Sequence, residues 1–345
     1  MRQIKALQVF RGLACLAVVI YHAAISTSAF VGPVPSTAAA IFGQGYLGVD
    51  FFFVLSGFII MYAHSSDGHS VDSTRRYIYK RLVRIFPVYL PVALAMIALY
   101  SIVPSISATG GRDYSLVSSL FLVPANRPPI LTVTWSLVHE MIFYGVFLVF
   151  FVSRRLFAVV LIFWAGAILA VNRFGEPANW LHYPLSLLNI EFMFGVVAAY
   201  VVNRNYWRGS PQWLVLCGLL LTVSILESVD LSVVGMMRIL FAAGLAIIIW
   251  GFALWERASA ISWPTWLIVL GNASYSIYLI HNQIFSVTQR LSIIMSLNWL
   301  GCMIFSVLAA LLAGYSYHLA VEQPALRFFG NRKVAKTARV RAELA

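Results

Sequence analysis

The sequence predicts an all-α polytopic integral membrane protein with about ten transmembrane helices and both termini in the cytoplasm. Of its 345 residues, 61% are hydrophobic and only 10% are charged, and the mean hydropathy is +0.85. Soluble domains carry about 25% charged residues, so this composition excludes an ordinary soluble protein. The hydrophobic residues also fall in runs close to the length of about 20 residues that crosses a bilayer as a helix.

Apolar runs account for most of the chain. The predicted spans are 6–26, 44–63, 83–103, 132–152, 156–172, 183–202, 213–229, 232–254, 267–287 and 299–320. A further apolar stretch, 115–123, is too short to span and is expected to lie in the membrane interface. The runs therefore place a membrane-embedded domain over residues 1–325 and leave 326–345 as a basic cytoplasmic tail.

The positions of Lys and Arg predict the orientation. Cytoplasmic segments of membrane proteins carry an excess of these residues. With the N terminus inside, the inner segments hold eighteen of them and the outer segments hold four. The net charge of +12 is therefore attributed to cytoplasmic segments that face anionic membrane lipid, and nucleic acid is not expected as a partner.

Two polar residues interrupt the first run. Arg11 and His22 are eleven residues apart, which brings them within about 20° of each other around a helix and about 16 Å apart along its axis. Because ionisable groups are costly at bilayer depth, they generally face a cavity or a partner. The predicted topology places Arg11 in the inner half of the membrane and His22 near its outer end.

Two later runs also present polar residues on one helical face. At helical spacing these faces comprise Ser136, Glu140 and Tyr144 in 132–152, and Ser274, Tyr278 and His281 in 267–287. Helix counting brings Glu140 and His281 to the outer half of the bilayer, at the depth of His22. A histidine beside a carboxylate can act as a general base. The alternative is a set of hydrogen bonds between helices.

The segments around the second and third spans carry further polar candidates. Asp50 lies at the outer mouth of the second span, and Ser56 stands beside a glycine, which indicates either a binding site or close helix packing. The predicted loop before the third span holds five cations in residues 75–84. Of these, Arg81 and Arg84 are spaced to grip phosphate groups. The alternative is an anchor on anionic lipid.

These residues lie in motifs that resemble the acyltransferase 3 family of integral-membrane acyltransferases, and within it the bacterial exopolysaccharide O-acetylases. The matching segments, in order, are FRGLACLAVVIYH, GVDFFFVLSGF, KRLVRIFPVY, WSLVHEMIFY, SYSIYLIH and VEQPALRF. Residues 155–265 carry no matching motif. Because the motifs keep the family's order along the predicted spans, the resemblance is specific.

The resemblance implies an acyltransferase that takes an acyl group, acetyl by default, from acyl-CoA in the cytoplasm. The implied acceptor is a hydroxyl of an extracytoplasmic glycan, such as an exopolysaccharide precursor or a lipid-linked oligosaccharide, at the bacterial cytoplasmic (inner) membrane. Acyl-CoA is then a co-substrate, and no tightly bound cofactor is expected. No histidine or cysteine spacing matches a zinc site, so no metal is expected either.

The resemblance also implies roles for the matched residues. His22 meets the reacting acyl group, and Glu140 orients it or stabilises its charged form. The implied donor-binding residues are Arg11, Arg81, Arg84, Tyr89 and Ser56. Further candidates for the site are Asp50, Trp135, Ser136, Tyr144, Ser274, Tyr278 and His281. Two roles stay open for His22, because it can deprotonate the acceptor hydroxyl or carry the acyl group itself.

A transporter or flippase of a lipid-linked glycan is the alternative function. Such a protein also needs buried charges, but it has no use for a phosphate-binding segment. Binding of coenzyme A and transfer of label from acetyl-CoA to polysaccharide distinguish the two functions.

Overall fold

The computed structural model describes residues 4–103, 113–175, 177–204, 206–228, 235–259 and 261–330. Within these residues the chain forms α-helices and no strand, which confirms the predicted all-α class. The helices are α1 (Lys5–Phe30), α2 (Ser36–Gly43), α3 (Gly48–His64), α4 (Val71–Ile102), α5 (Leu116–Phe121), α6 (Trp135–Phe147), α7 (Val149–Val152), α8 (Arg154–Asn172), α9 (Leu188–Arg204), α10 (Pro211–Ser228), α11 (Gly235–Ala258), α12 (Thr265–Ile294) and α13 (Trp299–Tyr317). The predicted tail over 326–345 lies outside the described residues from residue 331 onward.

The described helices include 7 that are long and apolar enough to cross a membrane. These segments are Lys5–Phe30, Ser36–His64, Val71–Ile102, Thr132–Val152, Arg154–Asn172, Met237–Ala258 and Trp299–Gly330. The predicted runs 183–202, 213–229 and 267–287 also form helices, α9, α10 and α12, but they are not among those segments. The chain is therefore a multi-pass membrane protein, and the count of ten spans stays a prediction.

The cations of residues 75–84 lie on a helix and not in a loop, contrary to the prediction. Helix α4 begins at Val71, where the side chain of Ser70 accepts a hydrogen bond from the backbone N–H of Ser73 and so caps the helix. Pro87 and Pro91 both lie inside the helix, which continues to Ile102. Arginines three residues apart on this helix consequently face the same side.

Helices α1 and α12 pack in parallel at close range through two glycines. A Cβ on Gly271 would lie 1.8 Å from the carbonyl oxygen of Gln8, and a Cβ on Gly12 would lie 2.9 Å from the backbone nitrogen of Gly271. Further along the same two helices, ring nitrogens of His22 and His281 are 3.1 Å apart. Small residues let helix backbones approach this closely in membranes, and the parallel arrangement brings the two histidines together.

Gly271→Ala is expected to destabilise the folded protein by about 1–3 kcal/mol, the usual cost of overpacking a well-packed interface. The added methyl group meets backbone atoms of α1, which cannot rotate away as a side chain can. Gly166→Ala in α8 is the matched control, because no atom lies within 4 Å of a Cβ at that position. Thermal unfolding in detergent measures both variants. Equal unfolding midpoints for Gly271→Ala and the wild type would contradict the close contact.

Helices α3 and α9 also pack at close range through two glycines. A Cβ on Gly57 would lie 2.0 Å from the carbonyl oxygen of Phe192, and a Cβ on Gly195 would lie 1.9 Å from that of Val54. For Gly57 the structure therefore supports the helix-packing interpretation of the small pair. The neighbouring Ser56 lines a cavity instead.

The first and last described segments lie at the same end of the helix bundle. The backbone N–H of Lys5 donates to Glu256 in the last turns of α11 at 2.7 Å. The guanidinium of Arg257, the next residue, lies 5.1 Å from the ring centre of Tyr62 near the end of α3. Helix α4 starts shortly afterwards, and Tyr79 on it donates to the carbonyl of Phe329 at 2.8 Å. That this end faces the cytoplasm stays a prediction.

Glu322, in the Glu-x-Pro segment near the C terminus, links this part of the bundle to α4. Glu322 lies in a π-helical turn, His318–Glu322, and its carboxylate is fully buried. One oxygen accepts from Arg84 at 2.7 Å, and the other accepts from Ser276 at 2.7 Å and from His318 at 2.8 Å. Because charge-assisted hydrogen bonds are the strongest in proteins, this carboxylate fixes Arg84 relative to α12 and α13.

Candidate active site

A cavity of about 150 Å³ lies between α1, α3, α4, α6 and α12. We call it the arginine cavity, because three arginines line it. Most of the predicted site residues meet here, and its polar and aromatic lining includes Arg11, Ser56, Arg81, Arg84, Ser136, Glu140, Tyr144, Ser274, Tyr275 and Tyr278. The structure thus brings together residues from five helices that the sequence could connect only through the family motifs.

Glu140 lines the arginine cavity, and its predicted support of His22 stays a prediction. Its Oε1 accepts hydrogen bonds from Ser56 at 2.8 Å and from Tyr144 at 2.5 Å. Ser56 belongs to α3 and Tyr144 to the turn of α6 that follows Glu140, so these contacts join the two helices. Within the described residues, the hydrogen-bond partner of His22 on another helix is His281.

The three arginines of the cavity are not equivalent. Arg84 is paired with the buried carboxylate of Glu322. Arg81 has its guanidinium 5.6 Å from the ring centre of Tyr144, and its buried Nε has no hydrogen-bond partner. Among the described residues, neither Arg81 nor Arg11 forms a salt bridge. Arg81 and Arg11 therefore supply a large share of the positive charge that an anionic ligand would meet in this cavity.

A second cavity, of about 370 Å³, adjoins the first. We call it the histidine cavity, and it is lined by Tyr21, His22, Tyr46, Val49, Val133, Trp135, Arg238 and Tyr278. Val49 and Tyr278 line both cavities. At this junction the hydroxyl groups of Tyr278 and Ser136 are hydrogen-bonded at 2.8 Å. Tyr278 and its partner Ser136 thus lie at the boundary between the two cavities.

Hydrogen bonds to backbone carbonyls assign the tautomers of the two histidines. Nδ1 of His281 lies 2.7 Å from the carbonyl of Tyr278, and Nδ1 of His22 lies 3.1 Å from the carbonyl of Val18. A carbonyl only accepts, so in each neutral ring Nδ1 carries the proton. The proton on Nδ1 of His22 is then shared with Nε2 of His281, 3.1 Å away. Nε2 of His22 consequently has a free lone pair, as a general base or nucleophile requires.

The stripe predicted on the first helix connects the two cavities. Arg11 lines the arginine cavity and His22 lines the histidine cavity. Eleven residues of α-helix separate them by about 16 Å. A long, thin ligand held at the arginines can therefore reach toward the histidine along α1.

The sequence predicted only one member of the polar cluster beside the histidine cavity. Asp50, predicted at the outer mouth, is fully buried and accepts from both Nε and Nη2 of Arg238, the latter at 2.8 Å. Glu191 Oε1 lies 3.7 Å from the same Nε. Sequence reasoning assigned no role to Arg238 or Glu191. Both residues are charged and lie within apolar runs. This feature could have identified them, because such charges need a partner.

Three further predicted residues lie outside the arginine cavity. Tyr89 is fully buried and donates to the carbonyl of Ser119 at 2.6 Å, so it joins α4 to α5 and does not line the arginine cavity. Trp135 lines the histidine cavity. His281 lies behind His22 and is fully buried. The donor-binding role proposed for Tyr89 has no support in this geometry.

Comparison with known proteins adds a family match over most of the chain. Residues 4–318 match the acyltransferase domain of the acyltransferase 3 family. The exopolysaccharide production protein ExoZ of Rhizobium meliloti (strain 1021) is 32% identical over 315 residues, covering 85% of this chain and 93% of ExoZ. The acyltransferase MdmB of Streptomyces mycarofaciens is 27% identical over 379 residues, covering 97% of this chain and 95% of MdmB. No solved structure matches the chain.

Proposed function

This chain belongs to the acyltransferase 3 family of membrane acyltransferases, and we propose that it moves an acyl group from cytoplasmic acyl-CoA to a hydroxyl of an extracytoplasmic glycan. The observation that carries the proposal is the pair of adjoining cavities that share Val49 and Tyr278. One cavity is lined by arginines suited to an anionic donor, and the other contains a histidine with a free lone pair.

The orientation follows from the charges. The end of the bundle that contains Lys5 and Phe329 also holds the exposed cations Arg75 and Arg76 at the start of α4. Since Lys and Arg concentrate on the cytoplasmic side, this end faces the cytoplasm of a bacterial inner membrane. The arginine cavity then opens toward the donor, and the histidine cavity lies toward the outer face.

The donor binds as a co-substrate through its phosphates. Arg81 and Arg11 carry charge that no carboxylate within salt-bridge distance neutralises in the described residues, and guanidinium groups bind phosphate oxygens through paired N–H donors. The pantetheine arm of acyl-CoA is long and thin enough to pass along α1 from the arginines toward Tyr278. The thioester thereby arrives at the junction of the two cavities.

At the junction, His22 promotes transfer in one of two ways. In direct transfer, Nε2 removes the proton of the acceptor hydroxyl while the oxygen attacks the thioester carbonyl. The C–S bond breaks, and the CoA thiolate takes the proton from His22. In the covalent route, Nε2 attacks the thioester first, the C–S bond breaks and CoA leaves as a thiolate. The acceptor hydroxyl then takes the acyl group from the acyl-imidazolium, and its proton neutralises the thiolate. His281 holds the required tautomer in both routes.

Acetyl is proposed as the acyl group and a glycan as the acceptor. The printed name of the relative ExoZ connects that protein with exopolysaccharide production, and the printed name of MdmB describes an acyltransferase. An exopolysaccharide precursor or a lipid-linked oligosaccharide fits both names and a site that lies within the membrane.

Sealed membrane vesicles of both orientations test the proposal. Inverted vesicles expose the cytoplasmic face, so labelled acetyl-CoA added outside is expected to label glycan inside them. Right-side-out vesicles given the same impermeant donor are expected to label none. Vesicles from a strain that lacks the protein are the control. Translocation of a lipid-linked glycan without transfer of label in either orientation would support the flippase and contradict the proposal.

A further inference from the structure

Arg238 is a cationic side chain in the histidine cavity for which the acyl-transfer chemistry has no use. We propose that this cavity is the acceptor site, that Arg238 binds acceptor hydroxyl groups there, and that the site selects an uncharged stretch of glycan. The inference rests on the proposed function, because that function places the acceptor beside His22.

Two buried carboxyl groups hold the guanidinium of Arg238 in place. Its Nη2 donates to Asp50 at 2.8 Å, its Nε donates to the other oxygen of the same carboxylate, and Glu191 lies 3.7 Å from Nε. The side chains of Asp50 and Glu191 are 0% and 2% exposed, whereas that of Arg238 is 21% exposed. The carboxylates therefore hold the guanidinium in place, and its remaining surface is available to a ligand in the cavity.

The balance of charge sets the kind of ligand. Two carboxyl groups face the single guanidinium of Arg238, so the cluster offers no net positive charge to a phosphate or a carboxylate. The arginine cavity differs, because its three guanidinium groups face only Glu140 and Glu322. Electrostatic interactions are strong where water is sparse. One cavity thus favours an anionic ligand, and the other favours an uncharged ligand.

The remaining lining suits a sugar. A guanidinium has five N–H donors, and Asp50 accepts from two of its nitrogens, so other donors are free to bind hydroxyl groups. The aromatic side chains of Tyr21, Tyr46, Trp135 and Tyr278 line the same cavity. Ring faces are electron-rich and attract the C–H face of a sugar ring. The volume of about 370 Å³ lies within the range of about 300–1,000 Å³ that is usual for ligand sites.

Two conservative variants separate recognition from folding. Arg238→Lys keeps a positive charge between Asp50 and Glu191 but removes the planar fork of donors. Glu191→Gln keeps the size of a side chain whose Oε2 has no hydrogen-bond partner, and it leaves Arg238 paired with Asp50. Glu227→Gln is the matched control, since Glu227 is exposed near the end of α10, away from the residues that line the cavity.

Equilibrium dialysis of the purified full-length protein measures binding without any acyl transfer. The probes are a neutral disaccharide and a matched disaccharide in which one sugar is a hexuronate. We expect wild type and Glu227→Gln to bind the neutral probe about tenfold more tightly than the hexuronate probe. We expect Arg238→Lys to weaken binding of the neutral probe by about tenfold, the loss of one charge-assisted hydrogen bond. Glu191→Gln is expected to keep the preference for the neutral probe, because Arg238 stays paired with Asp50.

Thermal unfolding in detergent, measured on the same samples, shows that each variant is folded. The inference is overturned if the wild type binds the hexuronate probe as tightly as the neutral one. It is also overturned if Arg238→Lys unfolds at the wild-type midpoint and retains wild-type affinity for the neutral probe. Failure of the proposed function would appear elsewhere, as absent label transfer by wild-type vesicles, and the dialysis result does not depend on that transfer.

Discussion

His22→Ala is expected to lower acyl transfer by at least about 10²–10⁴-fold, the contribution typical of a general base. In the structure His22 lines the cavity proposed for the acceptor, and its Nε2 is the nitrogen with a free lone pair. Alanine removes the group that accepts the hydroxyl proton or attacks the thioester. The measurement is labelled acetyl transfer to glycan in inverted vesicles, normalised to the amount of folded protein.

Two controls accompany this variant. His69→Ala changes an exposed histidine whose ring contacts the carbonyl of Phe151 and which lines neither cavity, and it is expected to keep wild-type activity. Binding of coenzyme A by His22→Ala is expected to be unchanged, because the donor phosphates lie at the arginine cavity. Near wild-type transfer by folded His22→Ala would contradict both proposed routes.

A trapping experiment separates the two routes. Acetyl-CoA labelled in the acetyl group is supplied to purified wild-type protein without glycan. Covalent label at His22 would support the acyl-imidazole route, and its absence, together with normal transfer when glycan is present, would support direct transfer. Either result leaves the His22→Ala prediction in force.

Arg81→Ala is expected to raise the KM for acetyl-CoA by about 10–100-fold, with a smaller effect on kcat. A hydrogen bond to a charged group contributes about 1.5–3 kcal/mol, and each 1.4 kcal/mol corresponds to about a tenfold change in affinity. Arg81 is a better target than Arg84, because Arg84 is already paired with Glu322. Initial rates at varied acetyl-CoA concentration give the two constants.

Arg81→Lys and Arg75→Ala complete this experiment. Lysine keeps the charge but lacks the paired donors, so it is expected to restore only part of the affinity. Arg75 is an exposed cation on the same helix α4, and its replacement with alanine is expected to leave the KM unchanged. If Arg75→Ala and Arg81→Ala change the KM equally, the basic segment acts as a general lipid anchor and not as a phosphate site.

The membrane class and the stripe on the first helix were predictable because both depend on local properties of the chain. Hydropathy over about 20 residues decides which segments can enter a bilayer. The spacing between Arg11 and His22 follows from helix geometry alone. The start of α4 was missed because its cap at Ser70 lies in a polar segment, where apolar periodicity gives no signal.

By itself, the sequence determined that this is a helical membrane protein with ionisable residues at bilayer depth. Only the tertiary structure decided which of those residues meet. In the structure His22 is hydrogen-bonded to His281, Arg238 donates to Asp50, and Glu140 accepts from Ser56. These pairs depend on which helices are neighbours, and that is set by close approach at glycines such as Gly271 and Gly57. Such contacts join residues distant in the chain, so no local pattern specifies them.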